Sequence, residues 1–191
     1  MKRVLSRINT FFMKKYHVGF VRNYPLRTSV EFAKNKFKNK KIVCLEIGTF
    51  RGENALNMFE NLNIKKLYLI DPWEKYVGYK EYDKEKLFKY FLETKKRLKK
   101  YLKKVIFIKK KTLEAVQNIP NVFDFNYIDG NHEYEYVKED IENYWKKLRK
   151  GGVLAGHDIN LSGVSKAFCE FVSKYKLKPN ISNMDWWIIK K

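Results

Sequence analysis

The sequence predicts an α/β fold, a doubly wound and mostly parallel sheet with helices on both faces. Three observations carry this. Short apolar runs of strand length recur from residue 42 onward, most of them followed by Gly or Asp. Between them lie segments with apolar residues at helical spacing. Strands alternating with helices over about 150 residues call for parallel pairing through crossovers.

The first run is Ile42–Ile47, closed by Gly48, and Ala55, Leu56 and Phe59 then share a helical face. The second strand is 67–70, stopped by Asp71-Pro72, before a long amphipathic helix carrying Leu87, Phe88, Phe91, Leu98 and Leu102. Val105–Ile108 reads as a third strand, after which Thr112 is placed to N-cap a short helix. Phe123–Ile128 is the fourth, followed by a stripe of Tyr134, Val137, Ile141, Tyr144 and Leu148. Gly151-Gly152 turns the chain into Val153-Leu154-Ala155, the fifth strand. Val164, Ala167, Phe168, Phe171 and Tyr175 mark one more helix, and 186–189 a last strand that would close the sheet as an antiparallel edge.

Residues 1–40 differ from the rest. They are basic, mix Phe and Tyr with Lys and Arg, and hold Pro25 but no evident strand. They read as one or two helices and a loop, serving as a cap over the site or as a homodimer contact. The remaining residues, 41–191, form the α/β domain.

Composition bounds the class. The 191 residues fit one domain, and 45% hydrophobic with 16% aromatic content suffices for a core despite 32% charged residues. The net charge of +20 has two readings: lysines on solvated helix faces, or a footprint for an anionic partner such as nucleic acid. Lysine excess without arginine clusters favours the first. Cys44 and Cys169 fall in apolar segments and read as small buried hydrophobes, with no disulfide or zinc spacing. No run reaches the roughly 18 apolar residues of a membrane span, and Ser6, Arg7 and Asn9 interrupt what would be a signal peptide. A cytoplasmic setting is expected.

Ligands of open α/β sheets sit beyond the carboxyl ends of the strands. The first such end is Glu46-Ile47-Gly48-Thr49-Phe50-Arg51-Gly52. Gly48 would admit a ligand close to the backbone and Gly52 would start a helix tightly beside it. Asp71, about 20 residues on, can accept both hydroxyls of an adenosine ribose, or can simply end the strand in an Asp-Pro turn. Phe50 occupies the middle glycine position of the dinucleotide fingerprint, which favours S-adenosylmethionine over a nicotinamide dinucleotide. Trp73 could stack on adenine or cover the sheet edge. Trp186 and Trp187 read as core on opposite faces, and His17 as a solvated or packing residue.

The segment from Phe123 to Tyr134, reading FDFNYIDGNHEY, resembles the D-x-x-x-I-D-G-x-H-x-Y stretch of class I SAM-dependent methyltransferases of the small-molecule O-methyltransferase type. Leu148 to Asp158, LRKGGVLAGHD, is similar to the fifth strand of that family. Gly163-Val164, Lys166-Ala167, Glu170-Phe171 and Trp186 to Lys190 resemble its C-terminal portion. The resemblance spans 42–190 and implies a Rossmann-like seven-stranded sheet and methyl transfer to a hydroxyl of a small molecule or glycan. It also implies a residue set. Glu46, Gly48, Thr49 and Gly52 would hold the cofactor, with Asp71 on the ribose, Thr112 beside adenine and Asp129 at the sulfonium. Metal-dependent members hold Mg²⁺ with the counterpart of Asp129 and an acidic pair after the fifth strand. Here that pair is His157-Asp158, so Asp129, His157 and Asp158 form the expected set for Mg²⁺ or another divalent cation, histidine suiting Mn²⁺, Fe²⁺ or Zn²⁺ better. Without metal, Asp129 and Asp158 would orient ligands by hydrogen bonds, and His132 or His157 would take the proton. His132 has a purely structural alternative in its loop.

Three rivals share the fold. A nucleic-acid methyltransferase would use the positive charge, but the aromatic motif for adenine amines is absent after the fourth strand. A non-catalytic SAM-binding protein need not keep Gly48, Asp71 and Asp129 together. An NAD-dependent enzyme lacks its middle glycine.

Overall fold

The structure is a computed structural model and describes residues 26–74 and 83–191. His17, Pro25 and most of the basic N-terminal segment lie outside the described residues. The elements are α1 (Thr28–Phe37), β1 (Ile42–Ile47), α2 (Glu53–Asn61), β2 (Ile64–Ile70), α3 (Lys84–Arg97), a 3₁₀ turn (Lys99–Lys104) and β3 (Val105–Ile108). They continue with α4 (Thr112–Ala115), a second 3₁₀ turn (Val116–Asn118), β4 (Phe123–Ile128), α5 (Tyr134–Lys146), β5 (Leu148–Gly156), α6 (Ser162–Lys174), β6 (Asn180–Ser182) and β7 (Asp185–Ile189).

One seven-stranded sheet has the order β3-β2-β1-β4-β5-β7-β6. The first five strands are parallel, and β7 runs antiparallel to both β5 and β6. The C-terminal edge is therefore a hairpin. Its apolar strand lies inside, and the outermost β6 is a three-residue polar strand too short to show in the hydropathy pattern. The chain winds from β1 out to β3, then returns to β4 and proceeds the other way. The order reverses between β1 and β4, where an open α/β sheet leaves a crevice for a ligand.

Alternation along the strands feeds two cores. On one face Leu45, Phe123 and Leu154 meet Val137, Ile141 and Tyr144 of α5 and Val164, Phe168 and Phe171 of α6. On the other, Cys44, Leu67, Phe125 and Val153 meet Val30 and Ala33 of α1, Ala55 and Met58 of α2, and Leu98. Trp186 belongs to the first core and Trp187 to the second, one on each face as expected. Helix α1, drawn from the segment read as a cap, is part of the sheet's own packing.

Several details depart from the sequence pattern. Leu102 and Tyr175, placed on packed helix stripes, are exposed, and Leu148 begins β5 instead of ending the α5 stripe. Phe88, placed on the inner stripe of the long helix, is exposed. Cys169 is also exposed, because it falls outside the Val164–Ala167–Phe168–Phe171 stripe that faces the sheet. Thr112 is the first residue of α4, whose N-cap is Lys111. At the amino ends of the strands, buried Asp124 accepts from the Val43 amide at 2.9 Å and meets Lys40 at 3.0 Å and Arg149 at 3.4 Å, so its charge is compensated within the fold. No helix among the described residues is long and apolar enough to cross a membrane.

Gly156 is where β5 passes under the hairpin. A Cβ there would lie 2.3 Å from the Trp186 ring and 2.7 Å from the Ile128 carbonyl oxygen. Overpacking of this kind costs about 1–3 kcal/mol. Gly156→Ala should therefore lower the thermal midpoint by roughly 3 °C or more. An unchanged melting curve would show that Trp186 yields freely.

Candidate active site

The carboxyl ends of the parallel strands are joined by one further rung of hydrogen bonds. The first residue after each strand donates its N–H to the last carbonyl of the neighbouring strand. Asp71 donates to Ile108 at 3.3 Å, Gly48 to Ile70 at 2.9 Å, Asp129 to Ile47 at 2.9 Å and His157 to Ile128 at 3.1 Å. Four residues singled out from the sequence thus stand in one row. The row is closed tightest at its centre. Gly48 has φ +77°, and a Cβ on it would fall 1.9 Å from the Asp129 carbonyl oxygen. Only glycine fits.

Beside this contact opens a cavity of about 350 Å³, within the range of ~300–1,000 Å³ usual for small-molecule sites. Ile47 and Gly48 after β1, Ile70 and Pro72 after β2, and Lys111 to Glu114 after β3 form its walls. Gly130 and Asn131 after β4, with Tyr136 and Asp140 of α5, complete it. Of the residues expected at a cofactor, Gly48 and Thr112 stand in the wall. Glu46, Thr49, Gly52 and Asp71 are buried and act around the β1 loop instead.

Asp71 binds that loop. Its two oxygens accept from the Phe50 and Trp73 amides, each at 2.7 Å. A carboxylate offers about four acceptor positions, so two remain open. Gly52 adopts φ +71° at the start of α2, with Thr94 of α3 so close that a Cβ would lie 2.7 Å from its methyl group. Trp73 donates its indole N–H to Phe50 at 2.8 Å and packs on Phe91 at 4.9 Å between ring centres, which makes it a core residue and not a free stacking plate.

Glu46 is a buried acid with incomplete hydrogen bonding among the described residues. Its Oε1 accepts from Asn54 at 2.9 Å, whereas Oε2 has no hydrogen-bond partner among the described residues. Burial pushes its carboxyl up to about 8, Asn54 and Thr49 offsetting part of this while the charges of Asp129 and Asp71 add to it. A buried carboxyl left short of donors has room for one more hydrogen-bond donor.

Past Gly130 lies the second half of the site. Asp129, His132 and Asp158 each present one ligand atom, all within 4.8 Å of one another. His132 Nε2 stands 3.0 Å from Asp158 and 3.7 Å from Asp129. The Asp129 carboxylate, with help from Asp158, holds the imidazole above its ordinary range against the effect of burial. His157, expected in this set, is outside it. Its Nδ1 lies 2.8 Å from the other Asp158 oxygen, and its Nε2 lies 4.0 Å from buried Asp185. The positive φ of Asp158, 56°, turns its carboxylate between the two histidines. His132 thus takes the place the sequence pattern gave to His157, and His157 braces Asp158.

Two further charged residues were not legible. Arg27, just before α1, reaches Asp129 at 3.7 Å. Asp140, which looks like an ordinary helix-surface acid, is buried in the cavity wall. Asn131 closes its own loop by accepting from the Glu133 amide at 2.8 Å.

Residues 45–159 match a protein family described as a methyltransferase domain. The chain belongs to that family. An uncharacterized protein of Acanthamoeba polyphaga mimivirus is 32% identical over 127 residues, 65% of this chain and 54% of that protein, so the chain spans about half the length of this relative. Among solved structures, a candidate caffeoyl-CoA O-methyltransferase of Staphylococcus aureus superposes with TM-score 0.66 at 17% identity, covering 97% of this chain and 91% of that one. A Bacillus cereus O-methyltransferase in complex with SAH gives 0.63 at 12% identity, with all of both chains covered. A Streptococcus thermophilus rRNA methylase gives 0.58 at 16%, covering 89% and 98%. These solved structures share the fold and carry names with different acceptors, so the fold does not select one.

The buried carboxyl of Glu46 has a pH signature. Its folded pKa lies above the unfolded value of 4.5, so its ionisation opposes folding and stability falls as pH rises through about 8. Glu46→Gln removes that penalty. Its thermal midpoint should exceed the wild type's at pH 9 by at least about 5 °C more than at pH 5. A difference independent of pH would contradict the buried, partly unpaired carboxyl.

Proposed function

We propose that this methyltransferase moves the methyl group of S-adenosylmethionine to a hydroxyl oxygen of a small molecule or glycan. The observation that carries the reading is the adjacency of two unlike halves. One is a mostly apolar cavity at the β1/β4 switch point, and the other a cluster of two carboxylates and an imidazole just beyond Gly130. The O-methyltransferase structures of the same fold, one with SAH, support the choice of donor and acceptor atom.

In this reading the adenosyl part occupies the cavity, with Thr112 beside the base and the spare lone pairs of Asp71 on the ribose. Gly48, Thr49 and Gly52 shape the loop around it, and the free oxygen of Glu46 takes the ammonium. The sulfonium then faces Asp129. The acceptor oxygen forms a bond to the methyl carbon as the carbon–sulfur bond breaks, and its proton passes to Asp158 or to neutral His132. Asp129, His132 and Asp158 fit a divalent cation, two hard oxygens and one nitrogen being a donor set for Mn²⁺ or Fe²⁺ as well as Mg²⁺. When bound, such an ion lowers the pKa of the acceptor hydroxyl. His157 holds Asp158 in place. Arg27 across from Asp129 supports a cover over the acceptor side from the segment before β1, with 41–191 as the transfer domain.

The test is a methyl-release assay against hydroxylated small molecules, glycans and RNA, run with chelator and then with added Mg²⁺ or Mn²⁺. Transfer to a hydroxyl is expected, lost on chelation and restored by the ion. Asp158→Asn should lower kcat/KM by about 100-fold or more. Transfer to RNA alone would replace the acceptor assignment. A rate indifferent to chelator would leave Asp158 and His132 as the proton acceptor without metal.

A further inference from the structure

Asp140 lies on α5 between Val137 and Ile141, two residues that face the sheet. The side chain is carried inward with them and is only 3% exposed. It forms part of the wall of the 350 Å³ cavity, and one of its oxygens stands 3.9 Å from where a Cβ on Gly130 would be. The hydroxyl of Thr112 hydrogen-bonds it. Among the described residues it has no ion pair, and Glu139, whose charge acts on it, is of the same sign.

The contrast with the other buried acids is informative. Asp124 has Lys40, Arg149 and the Val43 amide, and Asp185 accepts from the Ser29 amide and hydroxyl and from the Tyr127 hydroxyl. Those two are satisfied by the fold. Asp140 keeps acceptor capacity facing a cavity in which apolar Ile47, Ile70, Pro72 and Leu113 stand beside the polar Lys111, Glu114 and Asn131. Burying a carboxyl this way is unfavourable unless something donates to it. The apolar walls suit the faces of a flat ring, and a buried acceptor at the edge suits a ring that carries an N–H donor there.

We propose that Asp140, steadied by Thr112, accepts a hydrogen bond from the exocyclic amine of the adenine ring and so selects an adenosyl over an inosyl donor. The inference rests on the reading of the cavity as the donor site and adds the group that reads the base. Burial raises the carboxyl to about 7. Either form serves, since the carboxylate accepts from the amine and the carboxylic acid can also donate to a ring nitrogen. Asp140 positions and selects the donor and touches no reacting atom.

The test titrates S-adenosylhomocysteine and S-inosylhomocysteine, in which a carbonyl replaces the amine, into wild type and Asp140→Asn. At about pH 9, where the carboxyl is ionised, wild type should prefer the adenosyl compound by at least about 10-fold, because the inosyl carbonyl would set acceptor against acceptor. Asp140→Asn offers an N–H to that carbonyl, so the preference should narrow to near unity or invert. A merely structural acid would instead weaken both ligands equally in Asp140→Asn, and that result overturns the proposal. Equal binding of the two by wild type overturns it without any variant, which covers the case of an unfolded Asp140→Asn. If wild type binds neither compound, the donor reading itself falls and this inference with it, an outcome distinct from binding without discrimination.

Discussion

The site depends on one constraint, the extension of the parallel hydrogen-bond ladder by a single rung beyond its strands. Each loop leaves the sheet with its first amide still tied to a neighbouring isoleucine carbonyl. The residues on that rung, Asp71, Gly48, Asp129 and His157, are fixed by backbone geometry before any side chain acts. At the centre the constraint becomes steric, since Gly48 touches the Asp129 carbonyl with no room for a Cβ. That contact brings the β1 and β4 loops together at the point where strand order reverses. The cavity lies to one side of it and the Asp129–His132–Asp158 cluster to the other.

The distribution of buried charge follows the same axis. At the amino ends of the strands Asp124 is fully compensated, and beneath the hairpin Asp185 is saturated by three donors. Around the carboxyl ends, among the described residues, Glu46 keeps an unpaired oxygen and Asp140 lacks a counter-charge. Buried acids that a fold satisfies stabilise it, whereas those left short of donors destabilise it unless a ligand completes them. The shortage at one end only is a physical reason to place the ligand there, independent of family membership.

Much of the fold was legible because it rests on local patterns. Runs such as Ile42–Ile47 and Phe123–Ile128 are strand-length and apolar, and the Gly or Asp after them marks the rung. The site was legible only as far as strand ends carry it. His132 stands beside Asp129 and Asp158 where His157 was expected, because facing direction cannot be read in a loop. Directly after β5, His157 points toward Asp185, while His132, three residues past Asp129, comes back to it. Asp140 was hidden because a helix acid next to an apolar stripe reads as solvated, and Arg27 because its partner is about 100 residues away. Phe88 and Cys169 departed from expectation for a related reason: apolar residues within a helix need not lie on its packed face.

The most direct test of the central claim is hydrogen exchange at backbone amides with and without S-adenosylhomocysteine. Ligand in a hollow set by the Gly48–Asp129 contact should slow exchange at 48–52, 112–114 and 129–131 together, leaving the β6–β7 hairpin unchanged. Saturable binding with protection elsewhere, or no change at those three loops at saturating ligand, would contradict the account.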